Sequence, residues 1–301
     1  MNYRILGYIL GQIIKIEGIL MVLPLIVSIV FKEELNYQLA YLIPMIIMII
    51  IGTFLSKKCK KTDRFYTKEG IIIAALGWLL VSLLGALPLF LSGDIPNFID
   101  AFFESVSGFT TTGSSIITNL DIISKSNLFW RSFSHLIGGM GILVFALAIL
   151  PRENNQSSLI MKAEVPGPIF GKVAAKARDS ARVLYIIYFS MTFVLIILLL
   201  LGGVKFFDSM LYAFGTAGTG GFGISNAGIA HYNSAYIEMV LSIGMIVFGI
   251  NFNIYHLIIV GSIKEAFDDE ELKWYLGIIG ISIILIFLNI YMEIMIQYLK
   301  L

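Results

Sequence analysis

Seven nearly uncharged apolar stretches, each about as long as a membrane-spanning helix, run along this chain of 301 residues. An α-helix rises 1.5 Å per residue, so about 20 residues cross the roughly 30 Å hydrocarbon core of a bilayer. A soluble protein with 58% hydrophobic and 14% charged residues would expose more apolar surface than water tolerates. We therefore predict an all-α integral membrane protein. The stretches cover residues 5–31, 39–56, 70–91, 128–150, 183–204, 236–260 and 274–297.

Positive charge is concentrated in two of the connecting segments, although the net charge of the chain is only +1. Cytoplasmic loops carry an excess of Lys and Arg, so residues 57–68 and 162–182 are predicted to face the cytoplasm. The amino terminus is then cytoplasmic in a multi-pass protein of the plasma (inner) membrane. The basic residues indicate topology and not a nucleic-acid partner. We expect the first stretch to be a span and not a signal peptide, because it is too long and no small-residue cleavage site follows it.

An internal repeat lies within the apolar part of the chain. Residues 98–116 align without a gap on residues 206–224, and each copy is flanked by two of the apolar stretches. The order of span, inserted segment and span therefore occurs twice, with parallel topology. The alignment pairs Asp100 with Asp208, Thr111 with Thr219, and Gly113 with Gly221.

The inserted segment is too short to cross a membrane and too apolar to be a solvated loop. Its opening run, residues 98–106, would reach only about halfway across the bilayer as a helix. Gly, Thr and Ser follow, and their backbone would be non-helical at membrane depth, where it is tolerated only inside protein or along a water-filled path. Each repeat is thus predicted to be a helix–pore-loop–helix unit with a re-entrant half-helix and an extended filter segment.

Gly and Thr are residue types that suit an ion filter. A dehydrated cation needs oxygen ligands in place of its hydration shell, Gly allows successive carbonyls to point at one axis, and Thr adds hydroxyl oxygens. Small residues more often serve helix packing, and we interpret residues 138–141, inside a predicted full-length span, in that way. For the two matching Thr/Gly segments we favour a filter, because two copies after half-length apolar runs are hard to obtain from packing alone.

Several short motifs together resemble those of the Trk/Ktr/HKT superfamily of cation transporters, in particular the TrkH type. They are SGFTTTGS at 107–114, WRSF at 130–133, GGMG at 138–141, AEVPGP at 163–168, TGGF at 219–222 and GINF at 249–252. The resemblance implies potassium uptake, with K⁺ as the transported ion at Thr111, Thr112, Thr219 and Gly220. The filter residues that carry over by this resemblance are Thr110, Thr111, Thr112, Gly113, Gly218, Thr219, Gly220 and Gly221.

Members of this family have two leading helices and four such units around one ion path. The resemblance divides this chain into a leading pair (1–60), a first unit (61–152), a cytoplasmic loop with a second unit (153–262) and the first helix of an incomplete third unit (263–301). We expect a partial chain; the alternative is that two copies, as a homodimer, supply four filters. Gly at positions 113 and 221 resembles potassium-selective members. The resemblance also implies a separate cytosolic nucleotide-binding regulatory subunit, contacting residues 151–182.

No enzyme or cofactor is predicted. The sequence has no nucleophile–base arrangement and no nucleotide-binding glycine loop, so passive ion movement is favoured over a pump. A secondary transporter of another small solute is an alternative, but it would predict inverted repeats. A non-conducting remnant or accessory protein is a further alternative.

Some polar residues receive structural interpretations. We expect Arg131 to snorkel at the membrane interface, with an electrostatic role at the pore as the alternative. For His135 we favour a hydrogen bond to a neighbouring helix over ion or metal binding. Asp100 and Asp208 are predicted to cap the half-helices. Glu104 has no counterpart in the second repeat, where Tyr212 stands, so we expect no symmetric role for it. Interhelical hydrogen bonds are expected for the polar residues of the sixth stretch, Asn251, Asn253 and His256.

Overall fold

The fold is all-helical, as predicted. The structure is a computed structural model and describes residues 3–59, 67–141 and 177–299. Within those ranges the regular elements are helices only, and the chain forms two compact units, Met1–Phe248 and Gly249–Leu301. The predicted division into four segments stays a prediction.

Five helical stretches are long and apolar enough to cross a membrane, among the residues described. The first comprises α1 (Tyr3–Leu20) and α2 (Val22–Val30). The others are provided by α3 (Leu35–Lys58), α4 (Thr67–Leu91), α7 (Ala177–Leu201) and α12 (Glu270–Leu299). They confirm five of the seven predicted spans.

Two short helices, α5 (Phe98–Phe109) and α8 (Phe206–Ala217), occupy the inserted segments of the repeat. Each has 12 residues, and at 1.5 Å per residue this is about half the thickness of a bilayer core. In the first repeat α5 lies between α4 and α6 (Lys125–Gly139), and in the second α8 lies between α7 and α9 (Ala235–Phe248). The half-helices are therefore confirmed in both copies.

Two predicted spans are not continuous helices. The span over 128–150 is wrong as a single helix, because α6 ends at Gly139 and Gly141 has a φ of +79°; residues 142–150 lie outside the described part. The span over 236–260 is interrupted, because α9 ends at Phe248 and α10 covers Phe252–Val260. The side chain of Asn251 accepts a hydrogen bond from the amide of Asn253, which starts a new helix at this point.

The leading helices α1 and α3 pack through glycines. A side-chain carbon on Gly52 would lie 2.7 Å from the backbone nitrogen of Lys15, and one on Gly11 would lie 3.1 Å from the carbonyl oxygen of Gly52. Small residues let two helix backbones approach this closely in a membrane, where no hydrophobic effect drives association. The outward side chains of α3, such as Ile50 and Phe54, are exposed and apolar, as lipid-facing residues are.

A polar network fixes the amino-terminal end of α6 to the segment after α4 and to the leading helices. Asp94 accepts hydrogen bonds from the amide and hydroxyl of Ser124, both at 2.9 Å, and from the side-chain amide of Asn127 at 2.7 Å. Glu33, just beyond α2, accepts from the amide of Ser126 at 3.1 Å and from its hydroxyl at 2.6 Å. The carboxylates satisfy free N–H groups at the start of α6 and so orient the helix that supports the candidate site.

The second unit contains α10, α11 (Ile263–Asp268) and α12. Ile254, Ala266 and Leu272 form its small buried core. The side-chain amide of Asn251 donates to the carboxylate of Glu271 at 3.0 Å, so the expected interhelical hydrogen bond is found for this residue.

Candidate functional site

The first filter segment begins where α5 ends. Two amides turn back onto the end of the half-helix: that of Thr111 donates to the carbonyl of Gly108 at 3.1 Å, and that of Thr112 to Ser107 at 3.0 Å. Thr111 has a φ of +55° and Gly113 a φ of +76°. The chain therefore leaves the helix through a left-handed turn, a conformation that is costly for Thr and easy for Gly.

The second filter segment repeats this conformation closely. The amide of Thr219 donates to the carbonyl of Thr216 at 2.9 Å, and that of Gly220 donates to Gly215 at 3.2 Å. Thr219 has a φ of +55° and Gly221 a φ of +71°. The repeat seen in the sequence is thus a repeat of backbone geometry, including a strained Thr at the same position in both copies.

Seven of the eight filter amides, all but that of Gly113, donate hydrogen bonds within the described residues, whereas the filter carbonyl oxygens accept none. Each segment also follows the carboxyl end of a half-helix, where the helix dipole favours positive charge. This arrangement offers backbone oxygens to a cation. The segments concerned comprise the eight predicted residues Thr110, Thr111, Thr112, Gly113, Gly218, Thr219, Gly220 and Gly221.

The Thr hydroxyls are not equivalent. Thr110 Oγ1 donates to the carbonyl of Val106 at 2.7 Å and lies 2.8 Å from Thr112 Oγ1. The hydroxyl of Thr110 is therefore engaged by the end of α5. Thr110, Thr112 and Thr219 are all exposed, and of these three only Thr219 has a hydroxyl without a hydrogen-bond partner among the described residues.

The two filter segments contact each other directly. A side-chain carbon placed on Gly113 would overlap the carbonyl oxygen of Gly220, and one placed on Gly220 would lie 2.8 Å from the carbonyl oxygen of Thr111. Segments that are 108 positions apart in the sequence thus lie side by side, in non-helical conformation. The sequence-based filter hypothesis requires both features.

Helix α6 forms the wall behind both segments. A side-chain carbon on Gly138 would overlap the carbonyl oxygen of Phe109, and one on Gly139 would lie 2.9 Å from the Cα of Gly218. The packing interpretation of these two glycines is confirmed, although they end a helix and do not lie inside a full-length one. Because neither glycine has a side chain, the starts of both filter segments can pack against the same helix.

The side chain of His135 is buried in α6 and interacts with the backbone of Ser107 in α5, a neighbouring helix, as expected. Within the described residues, neither ring nitrogen makes a hydrogen bond of ordinary length and angle. The ring also packs against Phe222, with 4.1 Å between centroids. A side-chain carbon on Gly220 would overlap its Nε2, so His135 fills the space directly behind the second filter.

The expectation for Arg131 is wrong, and Glu104 makes an ion pair that Tyr212, at the matching position of the second repeat, cannot make. Arg131 does not snorkel; only 2% of its side chain is exposed, and its Nε donates to Oε1 of Glu104 at 2.6 Å. Glu104 in turn accepts from the amide of Ile116 at 3.0 Å and from the hydroxyl of Ser115 at 3.0 Å. The buried ion pair joins α5, the segment after the first filter and α6.

The guanidinium of Arg131 also reaches the second repeat. Its Nη1 lies 3.4 Å from the carbonyl oxygen of Gly223, and its Cζ lies 4.2 Å from the ring centroid of Phe222. One residue of the first repeat therefore supports both filters. The sequence signal for the pair with Glu104 was available, because two opposite charges in apolar runs usually pair inside a membrane protein.

The half-helix caps differ from the prediction. Asn97 caps α5, since its side chain accepts from the amide of Ile99 at 2.9 Å, and Asp100 lies in the first turn. No side chain caps α8, and Asp208 in its first turn accepts from the hydroxyl of Tyr232 at 3.2 Å. The capping prediction is therefore wrong for both carboxylates, although both lie near a positive helix end.

The segments beyond the two filters are linked as well. Asn226 donates from its side-chain amide to Asn119 at 2.8 Å and accepts from the amide of Leu120 at 2.8 Å. This exchange ties the segment after the first filter to the segment after the second. In the described residues no group of three or more His, Cys, Asp or Glu is placed to hold a metal ion.

The chain is similar to known transport proteins. The TrkH family model, described as a cation transport protein, matches residues 38–297. An uncharacterized cation transporter of Methanocaldococcus jannaschii is 35% identical over 281 residues, which is 92% of this chain and 57% of that protein. The Trk system potassium uptake protein TrkH of Escherichia coli is 30% identical over an alignment that covers 97% of this chain and 62% of that protein.

A solved structure shares the fold. The crystal structure of the potassium transporter TrkH from Vibrio parahaemolyticus aligns with a TM-score of 0.79 at 25% identity, covering 96% of this chain and 58% of that one. The chain thus spans 57% to 62% of the length of these relatives. The similarity includes both filter segments and the helices around them.

Proposed function

The chain belongs to the TrkH family of cation transport proteins, and from this premise we propose that it forms part of a potassium uptake pathway. The related proteins are membrane transporters, and this chain is likewise a multi-pass protein that lies in a lipid bilayer. Potassium is named for the relatives from Escherichia coli and Vibrio parahaemolyticus. Its transport by this chain, down the electrochemical gradient, is our proposal.

The free carbonyl oxygens of the two filter segments carry this proposal. A cation that loses its water needs oxygen ligands, and both segments offer carbonyls that no hydrogen bond of the described residues uses. Two half-helix carboxyl ends add favourable potential. We place K⁺ at Thr111, Thr112, Thr219 and Gly220, with Gly113 and Gly221 giving the potassium preference.

Two filters line only part of an ion path. The remaining oxygens would come from further residues of a longer chain or from a second copy in a homodimer. Either source would cover filter backbone that must not face lipid. Native mass spectrometry of the protein extracted in lipid nanodiscs distinguishes these sources, because a homodimer doubles the mass and a longer chain adds to it.

The partners and the orientation are also proposals. A cytoplasmic amino terminus in the plasma membrane would place the basic segment 162–182 on the cytoplasmic side, where a nucleotide-binding regulatory subunit could contact it. Residues 142–176 lie outside the described part of the chain, and the proposal stands on their charge and motif alone. The pathway needs no cofactor; K⁺ is the cargo.

Complementation tests the proposal. A potassium-uptake-deficient strain that expresses this protein is expected to grow on low potassium, and Gly113→Asp is expected to abolish that growth. Gly93→Asp is the matched control, because Gly93 has a similar φ of +86° with no atom within 4 Å of its would-be side-chain carbon. Equal growth of the wild type and the Gly113 variant, at equal membrane expression, would refute the filter assignment.

A further inference from the structure

A carboxyl group outside the candidate ion path is buried without a partner. Glu17 lies in α1, its side chain is 1% exposed, and neither carboxyl oxygen has a hydrogen-bond partner among the described residues. An ionisable group in the interior of a membrane protein is expensive and is seldom there without a role. Nothing in the filter mechanism uses this group.

The surroundings of Glu17 lead to the first half-helix. A side-chain carbon on Gly85 of α4 would lie 3.2 Å from Glu17 Oε1 and 2.9 Å from Ser105 Oγ of α5. Glu17 and Ser105 therefore both approach the side of Gly85 that carries no side chain, next to the ring of Phe109, whose Cε2 would be 2.6 Å from the same carbon. The hydroxyl of Ser105 is also buried and also lacks a partner among the residues described.

The other neighbours of Gly85 are apolar or engaged. The ring of Phe109 approaches the same point on Gly85, and Trp130 Nε1 donates to the carbonyl of Gly85 at 2.9 Å. A bare carboxylate in such surroundings would be strongly disfavoured, and a buried group of this kind is neutralised instead. A neutral carboxyl has one O–H donor and can still accept.

Charged and titratable groups on the surrounding elements do not balance Glu17 in the contacts described. The residues concerned are Lys15 on α1; Tyr37, Tyr41, Lys57 and Lys58 on α3; Glu69 at the far end of α4 from Gly85; Asp100 and Glu104 on α5; and Arg131 and His135 on α6. Glu104 is paired with Arg131, and Tyr41 donates to Asn127. Lys15 lies on the α3 side, where its Cβ approaches Gly52.

We propose that Glu17 is a neutral carboxylic acid joined to Ser105 through one buried water molecule. Both oxygens lie within 3.2 Å of one point and are not bonded to each other, so one water beside the Phe109 ring can bridge them at ordinary hydrogen-bond lengths. Buried water typically occupies sites of this kind, where polar groups would otherwise lack partners. The site binds a proton and a water, and it ties α1 to the half-helix that ends four residues after Ser105, at the first filter.

Infrared spectroscopy of the full chain in liposomes tests the proposal. At pH 7 the wild type is expected to show a carboxylic-acid C=O band that Glu17→Gln loses. Glu34→Gln, which removes an exposed carboxyl, is expected to keep it. Ser105→Ala is expected to shift the band to higher frequency, because the acid loses its water-mediated hydrogen bond.

Three results would overturn the proposal. The first is that the carboxylic-acid region of the infrared spectrum is identical in the wild type and Glu17→Gln, which would mean that Glu17 is ionised. The second is an unchanged band in Ser105→Ala, which would remove the link to α5. The third is a band that appears only when choline replaces Na⁺ and K⁺, which would make the site a cation site. If Glu17→Gln does not fold, the glutamates of a protein that keeps Glu17 are labelled with ¹³C at their carboxyl groups. The shift of the labelled acid band in Ser105→Ala then decides the question.

The site is independent of the proposed function. The spectroscopic outcome does not require that potassium is the cargo, so failure of either proposal leaves the other standing.

Discussion

Gly113 lies against the carbonyl oxygen of Gly220, so closely that a side-chain carbon on Gly113 would overlap that oxygen. The contact joins the filter segments of two repeats through backbone atoms alone. Backbone atoms held by two half-helices cannot move aside as a flexible side chain can. The absence of a side chain at Gly113 is therefore required by its neighbour as well as by its own φ of +76°.

Gly113→Ala is expected to reduce potassium uptake by about tenfold or more, since the overlap adds to a conformational cost of about 1–2 kcal/mol for a side chain in the left-handed region. Gly93→Ala is the control, with the same conformational cost and no overlap. Uptake of rubidium tracer per folded protein gives the measurement. Equal losses in the two variants would show that the Gly220 contact does not matter.

Gly221→Ala is expected to be milder than Gly113→Ala, although the two glycines are equivalent in the repeat. A side-chain carbon on Gly221 would lie 3.0 Å from Met245 Cε and meets no backbone atom. The end of a Met side chain can move. The same tracer assay should rank wild type first, then Gly221→Ala, then Gly113→Ala; the reverse order of the two variants contradicts the argument.

The pair formed by Arg131 and Glu104 is expected to be sensitive to loss of one member. Arg131→Met leaves a buried carboxylate unpaired, which typically costs about 3–5 kcal/mol. Thermal unfolding in detergent should show a large fall in Tm for either Arg131→Met or Glu104→Gln. The double variant should lose clearly less than the two single losses combined, because it leaves no unpaired charge.

The control for this pair is Lys273→Met. Lys273 is 3.4 Å from Asp268, and the side chains are 57% and 82% exposed. A surface ion pair contributes about 0–1 kcal/mol, so Tm should barely change. Arg131→Lys adds a further comparison: it keeps the charge but loses the planar fork that contacts Ser115 and Gly223. We expect partial recovery of Tm and a weaker preference for potassium over sodium.

Asn97→Ala is expected to destabilise the protein by about 1 kcal/mol, since it removes the cap of the first half-helix. Asp100→Asn should cost less, about 0.3–1 kcal/mol, because its carboxylate interacts only with the helix dipole. Chemical denaturation of both variants measures the difference. A larger effect at Asp100 would restore the capping role that the sequence alone assigned to it.

Cys59 offers a test of orientation, because it is the only cysteine in the sequence. Its thiol is free and partly exposed at the end of α3. The thiol also lies near the start of α1, where a side-chain carbon on Gly7 would be 2.7 Å from its Sγ. A membrane-impermeant maleimide should label inverted vesicles and leave right-side-out vesicles unlabelled. Labelling of only right-side-out vesicles would place the amino terminus outside.

The sequence was sufficient for the features that depend on local pattern. Runs of apolar residues predicted five spans. A short apolar run followed by Thr and Gly residues occurs twice, and this repeat predicted α5, α8 and the non-helical segments after them. The reason is that helix length and the backbone freedom of Gly are properties of a few neighbouring residues. Patterns of hydropathy failed at Gly139 and Phe248, where helices end inside apolar runs because of local backbone geometry.

By itself, then, the sequence determined a membrane protein with two half-helices followed by filter-like backbone. The tertiary structure decided which side chains hold those segments in place. Arg131 contacts Glu104, 27 positions away, and Gly223, 92 positions away, while an interfacial Arg beside Trp130 was an equally valid interpretation of the sequence. Such contacts depend on how distant elements approach in space, and the burial that turns a charged residue into a paired one exists only after the helices have packed.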